Sequence, residues 1–330
     1  RQMKYLGKLI AGIFCFALII NTITAGNMFQ AWNVANLTEA YFGVPTLATG
    51  MILALIVGSV IIGGIKRIGA VTSKLVPIML IIYILACIYV LTINFTAIPE
   101  MLKLIVSAAF SPMESSNAFL GGTAGAAFIF GMQRALFSNE AGQGSSAIAH
   151  SAAKTDEPVR EGVVAGLEPF IDTVVICTLT ALVIIIFNGD STIFNYGGVG
   201  GVVMIEGQPA EGASITAAAF SEYIAYSGPF LTLAVVLFAV STMISWSYYG
   251  LQSWIYVFGK SKAADLTYKI LFLLFIVIGA AGDMSSVWGF SDAMILGLVF
   301  PNMVGLFFLF PKVKDELGKY TNAIAEMVKK

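Results

Sequence analysis

Residues 119–146 read FLGGTAGAAFIFGMQRALFSNEAGQGSS, and how this stretch is read decides the fold. Gly121, Gly122, Gly125, Gly131, Gly142 and Gly144 punctuate an otherwise apolar run that carries Gln133 and Arg134 near its middle. A lipid-exposed backbone tolerates such punctuation only where neighbouring protein or a water-filled cavity satisfies the freed polar groups. Gly121 and Gly125 have the small-xxx-small spacing of close helix packing. A break centred on Phe130-Gly131-Met132 would instead expose half-helix ends, with N–H groups for a carboxylate and loose carbonyls for a cation. We assign the first pair to packing and the break to function.

The rest of the chain agrees that the surroundings are lipid. Of 330 residues 58% are hydrophobic and 11% charged, less than half the ~25% charged fraction of soluble domains, and the mean hydropathy is +0.87. A soluble globular protein and a disordered chain are both excluded. The net charge of −1 provides no field for nucleic acid. Cys15, Cys87 and Cys177 lie in separate apolar runs without CxxC spacing, and His150 is the single histidine, so neither a disulfide framework nor a zinc or haem site is indicated. The sequence opens on Arg1 directly before an apolar run, without methionine or a signal-peptide pattern, and is expected to be a fragment lacking its N-terminal part.

Runs of ~20 apolar residues predict eight spans: Leu6 to Gln30, Thr46 to Ile65, Leu75 to Ile93, Phe119 to Ser138, Val163 to Phe187, Pro229 to Phe258, Tyr268 to Ala281 and Val287 to Phe310. Sorting Lys and Arg by loop places 17 of the 18 on the side holding both ends; only Lys103 lies outside. Glu39, Glu100, Glu114, Asp190, Glu206, Glu211, Glu222, Asp283 and Asp292 fall opposite. Both ends are therefore expected to be cytoplasmic. The chain reads as one transmembrane domain over 1–330, with an external loop over about 188–228 and a cytoplasmic tail over 312–330. The Gly-rich, acidic part of that loop, Asn188 to Gly212, is a lid or a tether. N-x-T triplets at Asn36 and Asn94 read as chance.

Polar residues inside the spans are the remaining candidates. Asn21, Thr24, Asn27, Gln30, Asn33 and Asn36 recur every third position in the first run. Each step falls back about 60° on a helix, which makes Asn27 and Gln30 neighbours, as interhelical glue or as ligand contacts. Ser241, Ser245, Tyr248 and Gln252 form one stripe, and Ser241-Thr242 offers two neutral oxygens for a monovalent cation of the sodium type. Glu168 and Asp172 share a helix face beside Pro169; a structural ion pair with Arg134, Lys154 or Arg160 competes with proton coupling. Ser146 and His150, spaced i, i+4, raise an intramembrane serine hydrolase. No third orienting group is evident, and the chain is read as no enzyme.

The run GMQRALFSNEAGQGSSAIAHSAAKTDEPVREGVVAGLEPFIDT, Gly131 to Thr173, closely resembles the signature region of the sodium:alanine symporter family. GNMFQAWNVA from Gly26, IGGIKRIGAVTSKLVPIM from Ile62 and STMISWSYYG from Ser241 are similar to that family too. The resemblance implies an all-α, leucine-transporter-like fold of two inverted five-helix repeats, of which this chain would hold core helices three to ten and lack the first two. It also implies a secondary-active symporter, needing no cofactor beyond sodium as coupling ion, that moves alanine, glycine or a similar small neutral amino acid across a bacterial or archaeal inner membrane. A channel is the alternative within transport. Carried over, Asn27, Gln30, Phe130, Gly131, Met132 and Trp246 would contact substrate, and Ser241 and Thr242 sodium. SNEAG, Ser138 to Gly142, would be a packing and gating element, and Asn188 to Gly212 is long for the family.

Overall fold

The first apolar run folds further than hydropathy requires. α1 (Lys4–Ile23) passes through a π-helical turn, Thr24–Met28, into α2 (Phe29–Phe42), which stops at Gly43 in the left-handed conformation, φ 64°. The predicted end at Gln30 is thus 12 residues short, because no helix breaker precedes Gly43 and Pro45. α3 (Thr46–Ile61) follows Pro45, and only Ile62 and Gly63 separate it from α4 (Gly64–Ile93). Lys66, Arg67 and Lys74, expected in a loop, ride on the first turns of α4.

The computed structural model describes residues 4–110, 124–189, 192–194, 203–283 and 285–329. After a 3-10 turn at Phe95–Ala97 come α5 (Ile98–Phe110), α6 (Ala124–Asn139) and the short α7 (Ser146–His150). α8 (Pro158–Pro169) widens into a second π-helical stretch, Phe170–Cys177, before α9 (Thr178–Asn188). Pro169 has no N–H and its ring crowds the carbonyl four residues back, which accounts for the change of pitch there.

The expected external loop is structured. β1 (Val203–Ile205) pairs antiparallel with β2 (Gln208–Ala210), Val203 opposite Ala210. The connecting Glu206 and Gly207 both have positive φ, 52° and 78°, as a two-residue primed turn demands. α10 (Ala213–Tyr223) completes the segment. α11 (Ser227–Phe258), α12 (Lys262–Ala281) and α13 (Ser285–Lys329) follow, and α13 runs through Pro301 and Pro311 to absorb the expected tail 312–330.

Among the described residues six helices, rather than the predicted eight, are long and apolar enough to cross a membrane: Tyr5–Phe42, Gly64–Ile93, Pro158–Asn188, Ser227–Phe258, Lys262–Ala281 and Val287–Met327. α3 and α6, which covers the described part of the fourth span, have 16 residues each, about 24 Å at 1.5 Å per residue. Gly121 of the proposed Gly121–Gly125 packing pair lies outside the described residues.

Among the described residues three cores hold the helices together. Tyr83, Cys87, Val183, Phe187 and Phe220 form one, into which the hairpin turns Val203 and Ile205, so this segment is packed structure rather than a tether. Val34, Val57, Ile61, Met243, Tyr268, Phe272 and Ile276 form a second between α2, α3, α11 and α12. Leu18, Trp246, Tyr249 and Leu298 form the third, joining α1, α11 and α13. α12 crosses the π-helical turn closely: a Cβ on Gly279 would lie 2.5 Å from the Cα of Met28.

Candidate substrate cavity and coupling residues

The π-helical turn decides which polar groups of the first run meet. In a continuous α-helix Asn27 and Gln30 would share a face; the i to i+5 bond from Phe29 N–H to the Thr24 carbonyl changes the phase between them. Asn27 is fully buried and donates to the Phe272 carbonyl on α12 at 2.7 Å, leaving its Oδ1 without a hydrogen-bond partner. Gln30 turns the other way. It donates weakly to the Ala25 carbonyl, 3.4 Å, and lines a cavity of about 390 Å³.

That cavity lies between α2, α4, α9, α10 and α11. Phe29, Leu231, Val235 and Phe238 give it apolar walls, and the polar atoms of Gln30, Asn33, Thr180 and Thr216 reach its lining, as does Tyr83. The Tyr83 hydroxyl and Thr180 Oγ1 are 2.6 Å apart. Asn33 donates to the Phe29 carbonyl at 3.0 Å and accepts from the backbone N–H of Ala213 at 3.3 Å, so a membrane helix caps the first turn of α10. Among the described residues no charged side chain lines the cavity. The volume and the mixture of apolar wall with a few polar atoms suit a small neutral solute.

The other predicted site residues go elsewhere. α6 runs unbroken from Ala124 to Asn139, through Phe130-Gly131-Met132. The predicted break there is corrected: Gly131 is exposed with nothing within 4 Å of where a Cβ would stand, and one glycine costs a helix only about 1 kcal/mol. The side chains of Phe130 and Met132 lie outside the described residues. The chain reverses instead at Glu140, Gly142 and Gly144, with φ of 54°, 81° and 87°. Ser145 Oγ donates to Glu140 Oε2 at 2.8 Å, Ala141 N–H donates to Asn139 Oδ1 at 2.9 Å, and Asn302 of α13 donates to the Gly142 carbonyl at 2.8 Å. The SNEAG motif is therefore a packed chain reversal with a buried carboxylate.

Trp246 is buried against Gly26 and Tyr249, away from the cavity: a Cβ on Gly26 would stand 2.6 Å from its ring. Ser241 is buried and donates to the Phe238 carbonyl at 2.8 Å, beside the Met79 sulfur at 3.6 Å. Tyr248 and Gln252 of the same stripe line a separate 220 Å³ pocket near the Asp265–Lys269 pair.

Electrostatic expectations also change. Arg134 pairs with Asp292 of α13 rather than with Glu168 or Asp172, and lies 4.6 Å from the centre of Trp288 and 5.6 Å from that of Phe137. Phe29 closes this group at 4.2 Å from Trp288. Arg134 and Asp292 were sorted to opposite sides of the membrane; as partners they belong to one depth, and neither is a loop charge. Asp172 accepts from Ser138, and Glu168 lies 3.7 Å from His150 Nε2. Both ring nitrogens of His150 face carboxylates, so neither serves Ser146 as a base. The Arg134–Asp292 pair and the Tyr83–Thr180 contact join residues 158 and 97 positions apart and left no local signal.

Residues 3–330 match the sodium:alanine symporter family. The chain belongs to that family. It is 38% identical to the sodium/alanine symporter AgcS of Methanococcus maripaludis over 94% of its own length, and covers 65% of that relative. It is 30% identical to a probable sodium/glutamine symporter of Bacillus subtilis over 96% of its length, covering 62% of that chain. With the sodium/proton-dependent alanine carrier protein of Bacillus sp. strain PS3 it shares 27% identity, over 94% of this chain and 69% of the other. The chain thus spans less than two thirds of the first two relatives. Members are transporters rather than enzymes, coupled to sodium as the family's name states, and the serine hydrolase alternative has no support.

Proposed function

We propose that this chain belongs to a secondary-active symporter that moves a small neutral amino acid, alanine or glycine, into the cell with sodium by alternating access. The observation that carries the reading is the 390 Å³ cavity at Gln30, whose described lining has apolar walls and no charged side chain. Substrate contact centres on Gln30 and Asn33. Asn27 and Trp246, on the other side of the π-helical turn, and Gly131, with the neighbouring Phe130 and Met132 on α6, join the site only through a rearrangement of the helices. The inverted-repeat architecture and a cytoplasmic location for both ends belong to the same reading, the latter supported by the Lys and Arg asymmetry that persists without Arg134.

For sodium, Ser241 and Thr242 are the proposed oxygens. Ser241 gives its proton to the Phe238 carbonyl, which leaves its lone pairs free for a cation, and the unpartnered Asn27 Oδ1 is a second neutral acceptor nearby in sequence to Gln30. Bound sodium would supply positive charge without an acidic partner. Uptake of labelled alanine into proteoliposomes under an imposed sodium gradient tests the reading; uptake that is linear in alanine and indifferent to the gradient would support a channel instead.

A further inference from the structure

The signature motif continues into a group of side chains that the transport site does not use. α7 ends on His150, whose Nδ1 lies 2.6 Å from Glu161 Oε1 and whose Nε2 lies 3.7 Å from Glu168 Oε2. Both carboxylates come from α8, seven residues and about two turns apart, so they present one face to the ring. A neutral imidazole has one N–H and one lone pair and can donate to only one of them; the imidazolium donates to both. The two protonation states therefore differ by a charge-assisted contact between α7 and α8.

The His150 side chain is partly exposed. A cavity of about 460 Å³ is lined by Ser146, His150, Ser151, Glu161 and Gly162. Other titratable groups that act on this cluster include Glu140 of the chain reversal, Asp172 of the π-helical stretch and Tyr249 of α11, a helix that also packs on α7. Among the described residues no set of three His, Cys, Asp or Glu side chains has a metal-holding arrangement. A proton is the cation this chemistry takes.

We propose that His150, Glu161 and Glu168 form a proton-binding site that latches α7, and with it the Glu140–Ser145 reversal, to α8. The latch holds in the imidazolium state and loosens when the ring gives up its proton. This goes beyond the transport reading and does not depend on which solute is carried, because its readouts are structural.

The test uses the whole chain in lipid nanodiscs. His150 is the single histidine, so ring carbon and nitrogen labels report its titration without assignment. Amide exchange of residues 146–153, corrected for the intrinsic pH dependence of exchange, reports the latch. Protection is expected to fall by about tenfold as the ring loses its proton, His150→Gln to abolish that pH dependence, and Glu168→Gln to preserve the titration while shrinking the change in protection. Protection that stays flat while the ring titrates, or a pH dependence that survives His150→Gln, overturns the proposal. Should His150→Gln misfold, the wild-type chain and Glu168→Gln decide between the same outcomes.

Discussion

Arg134 of α6 donates to Asp292 of α13 while its guanidinium lies over Trp288, so the cation of α6 is bound to the last long helix. Asp292 is 13% exposed and Arg134 39%, which places the pair between a solvated ion pair and a buried one. Removing Arg134 leaves the less exposed carboxylate without its partner.

Arg134→Leu is accordingly expected to cost about 1–3 kcal/mol, more than Asp292→Asn, and to lower the midpoint of thermal unfolding in detergent. The reversed double variant, Arg134→Asp with Asp292→Arg, should recover part of the loss. Equal midpoints for all three would show the pair to be dispensable.

Gly26 provides a second test. Its missing Cβ would stand 2.7 Å from the Cβ of Trp246, the rigid base of that side chain rather than a flexible end. Gly26→Ala is expected to destabilise by about 1–3 kcal/mol and to shift the part of the tryptophan emission that Trp246→Phe removes. An unshifted spectrum would mean that the π-helical turn and α11 do not meet as described.

Gly131 behaves oppositely. Because it sits exposed on an unbroken helix, Gly131→Ala should stabilise by up to about 1 kcal/mol and leave amino-acid binding unchanged. Loss of binding at normal stability would return this residue to the substrate site and restore a break in α6.

How much was legible beforehand follows from the range of each signal. The apolar runs and the SNEAGQGSS motif are local, so the membrane-embedded helical class and the family were readable from them. The turn at Thr24–Met28 has no marker of its own: TAGNM fits an α-helix as well, and its extra residue separates Asn27 from Gln30, which simple helical spacing pairs. Hydropathy sees length, not partners, and so it marked the runs containing Tyr83, Thr180 and Arg134 while leaving their contacts hidden. Gly131 misled because a glycine permits a break without requiring one; Gly142 and Gly144, at positive φ, mark where the chain does reverse.

Asn33 links α2 to the start of α10 through the Ala213 N–H. Asn33→Leu removes this cap at a cost of about 1 kcal/mol. It is expected to loosen α10, read as faster amide exchange at residues 213–216, while exchange in the β1–β2 hairpin, held by Val203 and Ile205, stays unchanged.

The central claim is that the uncharged cavity at Gln30 takes a small neutral amino acid in a sodium-dependent way. Equilibrium binding of labelled alanine to the purified chain in nanodiscs, in sodium against choline at equal ionic strength, tests it most directly. Saturable binding in sodium is expected, weakened at least tenfold in choline and by Gln30→Leu, and competed by glycine but not by a large or charged amino acid. Binding of the same affinity in choline, or binding unaffected by Gln30→Leu in a folded chain, would contradict it.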